Sequence, residues 1–280
     1  MNGRRSRFLL SVLVFGYAFL YLPLLSVIFY SFNDSRLATV WGGFSTRWYG
    51  ELFRNEQILD AAFLSLRIAF TTATVATIFG TMAGLALTRF GKFRGRALFS
   101  GMITSPLVMP EVITGLSLLL LFVSLQQFIG WPAQRGFTTI TIAHTTFAMA
   151  YVTVIIQSRL SGMDQSLEEA AMDLGGKPFR VLFDITLPLI APAMIAGWLL
   201  AFTLSLDDLV IASFVSGPGG STLPMVIFSK VKLGVTPDIN ALATLIILFV
   251  SLGVSVAYFA ARRAQRSTQK NIQADAKISL

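Results

Sequence analysis

The sequence predicts an all-α integral membrane protein with six transmembrane helices, and three observations carry that expectation. Of the 280 residues, 54% are hydrophobic and 13% are charged, whereas a soluble domain carries roughly 25% charged residues. The mean hydropathy is +0.70, and Phe alone contributes 24 residues. Six stretches are apolar over the ~20 residues that a helix needs to cross a hydrocarbon core. Basic residues cluster at alternate ends of these stretches, the bias expected of cytoplasmic loops.

The spans fall at about 8–32, 62–88, 97–125, 138–157, 191–216 and 240–261. The first follows Arg4, Arg5 and Arg7. It is too long for a secretory h-region and ends without a small-x-small cleavage site, so it reads as an uncleaved span. With the N-terminus in the cytoplasm, that side also receives Arg89, Lys92, Arg94, Arg96, Arg159, Lys177 and Arg180. The tail at 262–280 adds Arg262, Arg263, Arg266, Lys270 and Lys277, which brings the total to 15 of the 22 basic residues. Both termini and the 158–190 loop are then expected in the cytoplasm, and residues 1–261 form one transmembrane domain. The net charge of +8 is thus a topology signal, which argues against a nucleic-acid partner.

Cysteine is absent and His144 is the single histidine, which excludes disulfides, thiolate chemistry and a histidine metal cluster. His144, alone in the fourth span, reads as an interhelical hydrogen-bond partner. Gly80 and Gly84 suit close helix packing. The Trp41–Tyr49 segment lies in the loop at 33–61. Its aromatics suit an interfacial anchor, with substrate or partner contact as the alternative.

The 158–190 loop is a polar island between spans. Ser166-Leu167-Glu168-Glu169 reads as a capping box, with Ser166 at the N-cap and Glu169 at the third helical position. Ala170 and Ala171 favour helix and leave one face without bulk. Gly175-Gly176 ends that helix, and Pro178 suits the first turn of a second one over about 178–185. Leu187-Pro188 is expected to close the second helix before the fifth span. A short helix with a small face can be gripped in a partner's cleft.

Three acids are expected inside the membrane, where each costs about 2.5–3.5 kcal/mol at mid-helix on insertion scales. Asp207 and Asp208 lie in the fifth span and Glu111 in the third, after Pro106 and Pro110. Counted at 1.5 Å per residue, Glu111 and Asp207 sit about 21 and 24 Å from the cytoplasmic ends. Thr203 and Asp207 share a helix face at i, i+4. Asp207 therefore leads Asp208 as a path-lining residue, and Asp208 is left to pair across helices. Glu111 either contacts substrate or caps a half-helix started by Pro110. Acids at one depth suit a cationic substrate, which would otherwise lose its hydration without compensation.

The loop's pattern is Glu169-Ala170-Ala171, three residues, Gly175, nine residues, then Ile185-Thr186-Leu187-Pro188. It resembles the coupling motif of bacterial ABC importer permeases at every fixed position. The likeness extends to Ser105–Glu111, Ser205–Asp208 and Phe214–Pro224, which look like polyamine importer permeases. The resemblance implies the type I importer fold, a bacterial inner-membrane location and coupling roles for Glu169, Ala170, Ala171 and Gly175. It implies a substrate path through Asp207, Asp208, Glu111 and Thr203. It also implies a second permease subunit, two ATPase subunits and a periplasmic polyamine-binding protein as partners. Cargo selection between putrescine and spermidine would rest largely with that binding protein. In the family, external loops such as Gly217–Pro224 meet the binding protein or form the outer gate; a plain turn is the alternative.

No cofactor site is expected in the chain itself, and the chain is not expected to be an enzyme. Gly175-Gly176-Lys177-Pro178 resembles part of a P-loop. However, Ala171 stands where the upstream glycine is required, and Pro178 replaces the Ser or Thr that would hold magnesium. ATP and magnesium would be bound by the partner ATPases. The competing readings are a permease of the same architecture for a phosphonate or ferric iron, and a secondary transporter using the acids for ions. The second would need inverted repeats and would leave the coupling motif without a purpose.

Overall fold

The computed structural model describes residues 3–37, 40–234, 236–252 and 255. The helices are α1 Gly3–Tyr30, α2 Arg47–Leu52, α3 Glu56–Arg89, α4 Arg96–Val108, α5 Glu111–Ile129, α6 Phe137–Ser161 and α7 Ser166–Asp173. They continue with α8 Pro178–Val181, a π-helical turn at Leu182–Thr186, α9 Leu187–Leu206, α10 Val210–Val215 and α11 Leu223–Leu233. A last apolar helix, α12, covers Pro237–Leu252. Among the described residues the only extended pairing is an isolated bridge between Asn33 and Phe44.

Among the described residues, five helical stretches are long and apolar enough to cross a membrane: Phe8–Tyr30, Glu56–Arg89, Glu111–Ile129, Phe137–Ser161 and Pro178–Leu206. Two expected spans are drawn differently in the fold. The continuous helix expected over 97–125 is broken between α4 and α5, because Met109 is extended (ψ 136°) ahead of Pro110. Proline disfavours helical backbone in the residue before it. The fifth span, expected at 191–216, starts thirteen residues earlier at Pro178 and stops at Leu206. Leu187-Pro188 does not close a separate helix, because the π turn carries α8 straight into α9. The end of the sixth expected span and the tail at 262–280 lie outside the described residues.

Contacts divide the chain into two compact units, one drawn from Met1–Glu56 and Ser229–Leu280 and the other from Gln57–Phe228. In the second unit α3, α6 and α9 share a core of Ala73, Ala76, Ala148, Val152, Ile156 and Ile190. The helices approach closely because two glycines lack side chains. A Cβ on Gly80 would lie 2.7 Å from Val152 Cβ, and one on Gly84 would lie 2.7 Å from Ile156 Cγ2. Small residues at such crossings are the usual means of bringing backbones together in lipid. A further core joins Ile68 of α3, Phe122 of α5, Ile140 and Ala143 of α6 and Ile211 of α10. Gly217 and Gly220 pack against Arg135 O and Gly136 Cα, so the loop they occupy is tied to the segment before α6.

In the first unit, buried Asn33 organises the loop after α1. Its Oδ1 accepts the amides of Ser35 and Gly42, and its Nδ2 donates to Val40 O at 2.7 Å. Trp48 is buried and donates from Nε1 to Asn33 O at 2.6 Å, while Tyr49 OH meets Ser31 Oγ at 2.7 Å. Trp48 and Tyr49 of α2 therefore tie the far end of this loop to the residues that follow α1. Trp41 stays partly exposed and stacks on Phe29 at 4.6 Å.

Candidate functional site

Two clusters in the Gln57–Phe228 unit contain the expected site residues. The first is the segment after α6. Helix α7 begins at Ser166 with Gln165 already helical, and no side-chain bond caps it at Gln165. The cap comes from further upstream, where Asp164 Oδ1 accepts the Ser166 amide at 3.0 Å. Bonds from the Ser166 amide and hydroxyl hold the Asp164 carboxyl below the usual carboxylate range. The capping box expected on Ser166 and Glu169 is therefore not formed. An aspartate two residues earlier accepts the first free amide, as a good N-cap does.

The end of α7 follows the glycine expectation closely. Gly175 has φ +86°, its amide donates to Met172 O at 2.9 Å, and the Gly176 amide donates to Ala171 O at 3.0 Å. This paired closure is a Schellman motif, which requires a left-handed residue after the helix. Gly176 is also needed for space, since a Cβ there would sit 2.6 Å from Ala171 O. Pro178 then opens α8 at its first position.

Glu169 and Ala170 are exposed and Ala171 is partly covered by the closing turn. Around them lie Leu174, 91% exposed, and Phe179, 78% exposed, with Leu167, Met172 and Phe183 also open. The small face is thus rimmed by large apolar side chains. The opposite side of α7 is anchored by Glu168, one residue before the motif's acid. Its carboxylate meets Arg89 at 3.0 Å and accepts Thr186 Oγ1 at 2.9 Å. The sequence did not single out Glu168, because only the fold shows which of two adjacent glutamates turns inward. Arg159 adds a bond from Nη2 to Leu189 O at 3.2 Å.

The second cluster surrounds the end of α9. Asp207 is the C-cap of α9 and its amide donates to Thr203 O at 3.2 Å, so it stays above Thr203 as expected. Thr203 is exposed and its hydroxyl bonds Leu199 O within the same helix. Asp208 is not a mid-helix acid. It sits in the break and its carboxylate accepts the Ile211 amide at 2.9 Å and the Ala212 amide at 3.3 Å, capping α10. It also faces His144 Nε2 at 3.8 Å. His144 is 2% exposed and its Nδ1 bonds Ser205 Oγ at 2.8 Å, the interhelical role expected for it.

Glu111 is the first residue of α5 and is exposed, with Pro110 at the N-cap and no side-chain cap bond. Its carboxylate suits the helix N-terminus by charge alone. Glu111 and Asp207 both lie close enough to Asp208 to interact with it electrostatically. Three acids drawn from two broken helices thus share one locality. Backbone discontinuity at membrane depth is tolerated where it lines a cavity or is buried in protein.

The family model for the inner membrane component of binding-protein-dependent transport systems matches residues 76–270. The putrescine transport system permease protein PotI of Escherichia coli (strain K12) is 59% identical over 269 residues, 96% of each chain. The spermidine/putrescine transport system permease protein PotC of the same strain is 45% identical over 241 residues, covering 86% of this chain and 88% of that one. Among solved structures, a bacterial ABC transporter for import of the acidic polysaccharide alginate aligns with a TM-score of 0.69 at 15% identity. It covers 94% of this chain and 98% of its own. The inward-facing MetNI methionine ABC transporter aligns at 0.59 and 15% identity, over 74% of this chain and 95% of its own. At these identities the two structures speak to the fold.

Proposed function

The chain belongs to the inner membrane components of binding-protein-dependent transport systems, and on that footing we propose that it is a permease subunit of an ATP-driven polyamine importer with putrescine as cargo. The observation that carries the mechanism is the presentation of α7. Its small face, with Glu169 and Ala170, stands open beside exposed Leu174 and Phe179, while its other side is tied to the helical bundle. A cluster of large exposed apolar side chains marks a protein interaction site. In a family whose members work with separate ATPases, this face is where an ATPase subunit docks, with Gly175 setting the exit of the chain from it.

The same reading places α7 and both termini in the cytoplasm of a bacterial inner-membrane protein, in line with the lysine and arginine bias. A second permease subunit completes the path, two ATPase subunits supply ATP and magnesium chemistry, and a periplasmic polyamine-binding protein delivers cargo. Putrescine follows from the names of relatives at 59% and 45% identity. The acids Glu111, Asp207 and Asp208 suit a diammonium cargo crossing a region of low dielectric, where an unpaired charge is costly. Asp207 is the exposed member nearest Thr203, and Asp208 serves both cap and field.

The test is uptake of labelled putrescine into proteoliposomes containing the complete complex, with spermidine, a phosphonate and ferric iron as competitors. The reading requires competition by spermidine and none by the phosphonate or iron. Competition in the reverse sense would assign the chain to a different cargo.

A further inference from the structure

The inward face of α7 is built with more care than a loop needs merely to stay folded. Glu168 holds two elements that are far apart in sequence. Its Oε2 meets Arg89 Nε at 3.0 Å and its Oε1 accepts Thr186 Oγ1 at 2.9 Å, with Arg89 Nη2 at 3.4 Å. Arg89 is the last residue of α3, and Thr186 is the last residue of the π turn from which α9 rises. Both charged side chains are only 13% exposed and Thr186 is buried. The nearby pair Arg180–Asp184 is 82% and 65% exposed at 3.5 Å, and such surface pairs contribute little.

One carboxylate therefore bonds the docking helix to the end of α3 and to the π turn that leads into α9. The π turn is itself suited to this, since an inserted residue displaces the ladder and swings a side chain to a new direction. Thr186 closes the π turn, and from there its hydroxyl donates to Glu168 Oε1 at 2.9 Å. A covered ion pair resists separation, because parting the charges leaves one of them buried and unpaired.

We propose that Glu168, Arg89 and Thr186 form the linkage through which motion of α7 is passed to α3 and α9, so that Glu168 is a positioning residue for coupled transport. The proposal rests on α7 being the ATPase docking helix. With the clasp intact, α7, the end of α3 and the π turn before α9 move as one piece. With the clasp cut, α7 still binds the ATPase by its outward face, and hydrolysis proceeds without turning the spans.

The test uses the complete complex in proteoliposomes, reading ATPase copurification, ATP hydrolysis and putrescine uptake for Glu168→Gln, Arg89→Gln, Thr186→Val and the exchange Arg89→Glu with Glu168→Arg. For the two single charge variants, copurification and hydrolysis stay near wild type while putrescine moved per ATP falls about tenfold, within the range of ordinary coupling free energies. Thr186→Val, which removes one bond and no charge, falls less. The exchange restores most of the ratio, since arginine at position 168 can still donate to the Thr186 hydroxyl. An unchanged ratio in Glu168→Gln, or uptake and hydrolysis falling in equal proportion, overturns the linkage. So does an exchange that restores nothing. Wild-type uptake that ignores ATP is a different outcome, because it overturns the importer reading beneath the proposal.

Discussion

Asp208 Oδ1 lies 3.8 Å from His144 Nε2 while the same carboxylate accepts the amides of Ile211 and Ala212. An acid that closes one helix and faces a buried imidazole on another has structural work to do before any cargo arrives. Asp208→Ala should lower stability by about 1 kcal/mol, the usual cost of losing an N-cap acceptor. Asp208→Asn keeps an acceptor oxygen and should cost less. Thermal unfolding of the purified permease in detergent distinguishes them, and equal losses would contradict the capping role.

Asp207 contributes its amide to α9 and keeps its carboxylate exposed. Asp207→Asn should therefore leave unfolding and ATPase copurification unchanged. Uptake of putrescine should fall about tenfold or more, the scale of a lost charge-assisted contact. Normal uptake would remove Asp207 from the path.

The crossing of α3 and α6 depends on Gly80 and Gly84. Replacing either with Ala places a Cβ 2.7 Å from Val152 or Ile156, so each should cost about 1–3 kcal/mol, the range for overpacked cores. Gly101 in α4 has open space around it, and Gly101→Ala should bring no loss. If all three variants unfold at the same temperature, the close crossing is not a determinant of stability.

At Gly175 the backbone lies at φ +86°, where most L-residues pay about 1–2 kcal/mol. Gly175→Val should disturb the Schellman closure and reduce ATPase copurification. Gly175→Asn should be milder, because asparagine tolerates the left-handed region. Equal recovery of the ATPase with both variants would separate the docking face from the geometry of its exit turn.

Much of this was legible in the residues. Length and hydropathy announced the spans, and Gly175-Gly176 and Pro178 announced where α7 ends and α8 begins, since glycine accepts a left-handed exit and proline suits a first helical turn. His144 and the Gly80/Gly84 pair were legible because an apolar span leaves a lone imidazole or a spaced glycine pair few roles. What hydropathy cannot register is a break within an apolar run. Met109-Pro110 splits one expected span, and the Asp207-Asp208 pair ends another although Leu206 and Leu209 keep the apolar count high. The cap at Asp164 was displaced from Ser166 because both residues are competent acceptors and local sequence does not rank them. Glu168 was hidden by its neighbour. Adjacent helical positions differ by 100°, and deciding which glutamate faces Arg89 requires the packing of α3 against the loop.

On the proposed function, this chain carries putrescine only when a separate ATPase engages α7. The direct measurement is putrescine uptake into proteoliposomes containing both permease subunits and the periplasmic binding protein, with and without the ATPase subunits, in the presence of ATP. Accumulation is expected only when ATPase subunits and ATP are both present. Accumulation by the permease without its ATPase would contradict it.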